Sequence, residues 1–174
     1  MNSKIVKAFV LGAISAYGFA ALVVASSVKL GVLPVQADVA PSRLESAVLG
    51  AALHAAVARQ AAAGANPIIA SEENLLEGAK IYRQMCARCH GLSNESDNSY
   101  GRSFYPPAPP LPFRRMSYSD TQIFCIVKHG IRNTAMPAWG NLLSDDEIWR
   151  VVTLINKLGS LPDSVSAELH ARHH

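Results

Sequence analysis

The sequence lacks the features of several large protein classes. It has only three cysteines in 174 residues, too few and too unevenly spaced for a disulfide framework. The net charge is only +3, and residues 71–162 hold ten Lys/Arg against nine Asp/Glu, so the chain has no broad basic surface for nucleic acid. At this length, we expect one ordinary domain with additional segments.

Paired strands are also missing, because no segment shows their alternating pattern, and the predicted fold class is all-α. The predicted plan has four parts. Residues 1–30 form a transmembrane anchor or a signal peptide, 31–70 a connector with an amphipathic helix, 71–162 the functional domain, and 163–174 a flexible tail.

The N-terminus contains one long apolar run. Residues 8–28 carry no charged side chain, and Lys7 and Lys29 flank them. A helix of this length reaches about 30 Å, the thickness of the hydrocarbon core of a bilayer. The competing interpretation is a signal peptide cleaved after Val35-Gln36-Ala37, but the run is longer than the usual apolar region of such peptides. Lys4 and Lys7 favour a cytoplasmic N-terminus, and both interpretations export everything after residue 37.

Capping signals predict where the other helices begin. A helix is expected from Ser42 to about residue 63, with an apolar stripe that we expect to pack on its own domain, and a second helix from Ser71 to Cys86. Further starts are predicted at Ser119 and Ser144. The stripe consists of Leu49, Leu53 and Val57. Five prolines between residues 91 and 115 predict an extended loop ahead of Ser119.

The chemistry is indicated by the pentapeptide Cys86-Ala87-Arg88-Cys89-His90. C-x-x-C-H is the attachment signature of c-type haem. Two thiols at this spacing can form thioethers with the two vinyl groups of haem, and the adjacent histidine then lies beneath the iron as an axial ligand. A thioredoxin-like redox site requires a βαβ context, which the sequence lacks.

Zinc is a second alternative. Cys86, Cys89, Cys125 and His129 supply four ligands at plausible spacings. That site would leave His90 without a role, and we expect Cys125 to be a small buried apolar residue instead.

A six-coordinate haem iron needs a ligand on its other face. The strongest candidate is Met136, which lies 46 residues after His90 in a loop before the last helix, where Pro137 restricts the backbone. Met116 and His129 are the alternatives. His/Met ligation raises the reduction potential and leaves no open position for oxygen.

With these motifs, residues 72–162 resemble the class I c-type cytochromes, including the mono-haem modules of bacterial respiratory and dehydrogenase complexes. The resemblance implies a helix crossing in which Gly78 and Tyr82 face Trp149 or Val152 of the last helix. It also implies that a proline carbonyl accepts the hydrogen bond of the histidine ligand, with Pro106, Pro107, Pro109 and Pro110 as candidates.

We therefore expect one covalently bound haem c, attached through Cys86 and Cys89 and ligated by His90 and Met136. The expected function is single-electron transfer, not catalysis, on the periplasmic side of the bacterial inner membrane. Membrane or periplasmic redox proteins would be the donor and acceptor. A haem subunit of a larger complex, a peroxidase or gas sensor, and a zinc module are the alternatives. Basic residues near the haem would pair with its propionates or with an acidic partner (Arg88, Arg102, Arg114, Arg115, Lys128 and Arg132).

Overall fold

The computed structural model describes residues 3–92, 98–113 and 117–171. Within these ranges every regular segment is helical and no strand occurs, which confirms the predicted all-α class. One compact unit ends at Val39 and a second begins at Ala40. The helices are α1 Ser3–Lys29, α2 Arg43–Gln60, α3 Glu72–Ile81, α4 Ala87–His90, α5 Ser99–Arg102, α6 Asp120–His129, α7 Asp145–Ile155 and α8 Asp163–His170.

Helix α1 dominates the first unit. It has 27 residues, and none of them is buried within the structure. At 1.5 Å per residue it extends about 40 Å, which exceeds the thickness of the apolar part of a bilayer. By length and composition it can cross a membrane, as the uncharged run predicts.

Serine caps begin four helices of the second unit, α2, α3, α6 and α7, where the sequence predicts. Each capping hydroxyl accepts a hydrogen bond from the backbone N–H three residues further on, which satisfies a donor that the first helical turn leaves free. These caps are Ser42, Ser71, Ser119 and Ser144. Helix α2 ends at Gln60, three residues before the predicted end.

The apolar stripe of α2 packs on its own domain over only part of its length. Val57 is 6% exposed, Leu53 is half-buried, and Leu49 is 58% exposed. The C-terminal half of α2 therefore supplies its main apolar contact with the domain. Helix α2 packs against α6.

Helices α3 and α7 cross at Gly78. A Cβ atom at this position would lie 2.5 Å from the Arg150 carbonyl oxygen and 3.3 Å from Leu154 Cβ, so only glycine allows this close approach. The expectation that Trp149 or Val152 faces Gly78 is wrong. Those two side chains lie on the other side of α7, where they pack with α6.

Two apolar clusters form the core around α7. One joins α3, α4, α7 and α8, and the other joins α6 and α7. Because α7 contributes to both, it is the central helix of this unit. The buried members of the first cluster are Leu75, Ala79, Tyr82, Cys86, Ala87, Val151, Leu154, Val165 and Leu169. Those of the second are Ile123, Val127, Ile148 and Val152.

The predicted flexible tail from residue 163 is wrong for α8. Val165 and Leu169, four residues apart on one face of this helix, are 0% and 1% exposed in the first cluster. Arg83 and Glu168 form an ion pair at 2.9 Å that joins the end of α8 to the segment after α3. Apolar burial thus holds a segment that follows Pro162, where we expected order to end.

Candidate haem site

The C-x-x-C-H motif lies where α3 gives way to α4. A π-helical turn, Tyr82–Cys86, joins the two helices and places Cys86 in the core, where it is 8% exposed. The Tyr82 hydroxyl donates a 2.9 Å hydrogen bond to the Gly91 carbonyl oxygen just beyond the motif. This buried side chain therefore joins the segment just before the motif to the residue just after it.

His90 is oriented by the proline-rich loop. Its Nδ1 lies 2.9 Å from the Pro109 carbonyl oxygen. A carbonyl only accepts, so Nδ1 carries the proton and Nε2 keeps its lone pair. Burial lowers the pKa of His90, although the Pro109 bond partly opposes this shift. Of the four prolines left open by the sequence, the structure selects Pro109, and a neutral imidazole oriented in this way suits a metal ligand.

Helix α5 packs directly on the motif. A Cβ at Gly101 would overlap the Cys89 carbonyl oxygen, so the two backbones touch there. Asn98 joins them further, because its side chain donates to the Arg88 carbonyl (3.1 Å) and accepts from the Gly101 N–H (3.0 Å). Sequence reasoning did not find these two residues. The only signal was an asparagine three residues before glycine, a common N-cap pattern.

Met136 lies in a loop that is ordered by its own backbone. Gly130 has φ +67°, and a Cβ there would lie 2.7 Å from the Met136 carbonyl oxygen. The Ile131 N–H donates to that oxygen at 3.1 Å, and the Met136 N–H donates to Thr134 Oγ1 at 3.0 Å. The half-buried Met136 side chain packs against the second cluster. The backbone of this loop is therefore held by its own hydrogen bonds and by the close approach of Gly130.

The alternative iron ligands and the arginines predicted to lie near the haem are found in different parts of the chain. His129 is exposed at the end of α6. Met116, Arg114 and Arg115 lie outside the described residues. The Arg88 guanidinium lies 4.5 Å from the centre of the Tyr100 ring, so it makes a cation–π contact beside the motif.

The structure does not bring the four proposed zinc ligands together. Among the described residues, which include all four proposed zinc ligands, no group of three or more His, Cys, Asp or Glu side chains is arranged to hold a metal ion. Cys125 is 7% exposed on α6, and burial raises the pKa of its thiol. The expectation that it is a small buried apolar residue is confirmed.

The motif residues fit covalently attached haem. Burial raises the pKa of the Cys86 thiol to about 12, so the free side chain is neutral at this buried position. A thioether is also uncharged, and its formation at Cys86 therefore brings no charge into the core. Next to it, His90 presents a neutral imidazole with Nε2 available, which is the donor required of an axial ligand.

Comparison with known proteins supports this assignment. Residues 73–155 match the protein family described as cytochrome c oxidase, cbb3-type, subunit III. The chain contains a c-type cytochrome domain. This cytochrome domain binds haem c covalently, and its chemistry is haem-based electron transfer.

Similarity beyond that family is limited. Among solved structures, the cytochrome is similar to a chain of the Kuenenia stuttgartiensis reducing HAO-like protein complex, with 25% identity and a TM-score of 0.45. The match covers 53% of this chain and 46% of that chain, so the cytochrome spans about half the length of that relative. No curated protein matches the sequence significantly.

Proposed function

We propose that this cytochrome carries single electrons with one haem c and performs no chemistry on a substrate. Cys86 and Cys89 form the two thioethers, and His90 and Met136 are the axial ligands. The observation that carries the proposal is the 2.9 Å hydrogen bond from His90 Nδ1 to the Pro109 carbonyl oxygen. It orients a half-buried imidazole within the haem attachment motif and leaves Nε2 available to iron.

Different residues of the chain would hold different parts of the cofactor. When bound, the haem iron supplies a one-electron ferrous–ferric couple, and His/Met ligation raises its reduction potential. Pro109 keeps the His90 ring in one orientation. Thr134 and Gly130 hold the backbone of the loop that would present the Met136 thioether. Cys86 lies within one apolar cluster and Met136 packs against the other, so both residues have apolar neighbours.

We further propose that α1 anchors the protein in the bacterial inner membrane with its haem domain in the periplasm. The length and composition of α1 and the two lysines that precede its uncharged run, Lys4 and Lys7, support this orientation. A tethered carrier exchanges electrons with membrane or periplasmic redox proteins. Accessibility of an engineered surface cysteine in intact spheroplasts would test the orientation: labelling beyond residue 40 but not at residue 2 is expected.

The decisive experiment is a redox titration of the holoprotein combined with its haem-to-chain ratio. We expect one haem per chain, a mass increase of one haem that survives denaturation, and a single one-electron transition. Two transitions, a haem lost on denaturation, or ferrous protein that binds carbon monoxide rapidly would contradict the proposal. The last result would favour a peroxidase or gas sensor.

A second candidate is a haem subunit of a larger respiratory or dehydrogenase complex. The description of the matching family, which names an oxidase subunit, favours it. Gentle purification of the native protein from membranes distinguishes the two. A free carrier is recovered alone, whereas a subunit is recovered in a fixed ratio with other redox proteins.

A further inference from the structure

Helix α2 holds the proline-rich loop at both of its ends. Near the start of the loop, the Tyr105 hydroxyl donates a 2.7 Å hydrogen bond to the Glu45 carboxylate. At the other end, the Tyr118 and His54 rings stack at 4.9 Å, and the Tyr118 hydroxyl lies 3.4 Å from His54 Nε2. Two tyrosines, one before and one after Pro109 in the sequence, therefore contact one helix.

The middle of the same loop contains the group that orients the haem ligand. Pro109 lies between the two tyrosines and accepts the hydrogen bond from His90. The preceding residue, Ala108, donates its N–H to the Gly101 carbonyl oxygen at 2.9 Å. Because a proline-rich segment has few N–H groups for its own hydrogen bonds, its position depends on contacts such as these.

The two contact points on α2 are well separated. Glu45 and His54 are nine residues apart, which corresponds to about 13 Å along the helix axis. Val57 fixes the C-terminal half of α2 against the domain through its buried side chain. Helix α2 also precedes the matched cytochrome segment, which begins at residue 73. It is therefore an addition to the matched segment that contacts the haem-site loop.

We propose that α2 positions the haem ligand indirectly. Glu45 and His54 hold the loop so that the Pro109 carbonyl stays on His90 Nδ1. A strong hydrogen bond at Nδ1 makes the imidazole more basic toward iron, which stabilises the ferric state. Loosening the loop therefore raises the reduction potential. This inference rests on the proposed role of His90 as an axial ligand.

The test compares Glu45→Ala with Glu45→Gln in the full-length holoprotein. Both variants remove the carboxylate charge, but only glutamine keeps an oxygen that can accept from Tyr105. We expect Glu45→Ala and Tyr105→Phe to raise the reduction potential, and to speed amide exchange at Ala108 roughly fivefold, as the loss of one hydrogen bond would. Glu45→Gln should restore both values. Glu77→Ala, which removes a surface glutamate paired with Lys80, is the matched control and should change neither.

Three results would overturn the inference. Unchanged exchange and potential in both Glu45→Ala and Tyr105→Phe would show that the loop does not need α2. Equal shifts in Glu45→Ala and Glu45→Gln would show an effect of charge alone. Faster exchange at Ala108 with an unchanged potential would show that the loop does not act through the ligand. Failure of the proposed function is distinguishable, because it would appear in the spectrum of the unmodified protein.

Discussion

The close crossing of α3 and α7 can be tested by replacing each of two helical glycines, Gly78 and Gly50, with alanine. A Cβ added at Gly78 would lie 2.5 Å from the Arg150 carbonyl oxygen, whereas one added at Gly50 in α2 would meet nothing within 4 Å. The helix propensity of alanine alone would raise the free energy of unfolding by about 1 kcal/mol at either position, because alanine restricts the unfolded chain more than glycine does. The two substitutions therefore differ only in packing.

The packing cost at Gly78 follows from the atom that the methyl group meets. Backbone cannot rotate away as a side chain does, so α3 and α7 must separate, and overpacking of this kind costs up to about 3 kcal/mol. After the gain of about 1 kcal/mol, Gly78→Ala should destabilise the fold by roughly 2 kcal/mol, a fall of about 4–8 °C in Tm. Gly50→Ala should raise the Tm by a few degrees.

Thermal unfolding of the detergent-solubilised holoprotein, followed by near-ultraviolet circular dichroism, measures both variants. Equal stabilisation by the two substitutions would refute the close helix crossing. Destabilisation by both would refute the reasoning on helix propensity.

Three further predictions concern the fold around the site. Tyr82→Phe removes the buried hydrogen bond to the Gly91 carbonyl oxygen and should lower the free energy of unfolding, measured in urea, by about 1–3 kcal/mol. An unchanged free energy would contradict this prediction. Hydrogen bonds from Ser144 lower the pKa of Glu147, so the ionised form is favoured in the folded state; this stability is present at neutral pH and is lost as pH falls through the folded-state pKa. Ser144→Ala should therefore reduce the loss of stability between neutral and acid pH, and an identical pH profile would exclude this contribution. Leu169→Ala should lower the free energy of unfolding by about 2–5 kcal/mol, because its side chain is part of the core. A change near zero would show that α8 behaves as a flexible tail.

Features set by neighbouring residues were predictable from the sequence. A serine cap needs only the backbone three residues away, and for this reason the starts at Ser119 and Ser144 are confirmed. The attachment motif is equally local, because both cysteines and His90 lie within five residues. The burial of Cys125 followed from the apolar residues beside it on α6.

Features that depend on distant parts of the chain were not predictable. The choice of Pro109 over its neighbours depends on the path of a loop that α2 and α5 hold in place. The residues that face Gly78 depend on the rotation of α7, which must satisfy two apolar clusters at once. The order of α8 comes from Val165 and Leu169, a pair too short to predict a core helix without knowing the surface that it covers.

The absorption spectrum of the ferric holoprotein, compared between the unmodified chain and Met136→Ala, tests the central claim most directly. We predict a weak sulfur-to-iron band at the red end of the unmodified spectrum that disappears in Met136→Ala, while haem stays attached through Cys86 and Cys89. A spectrum that is the same in both proteins would contradict the assignment of Met136 opposite His90.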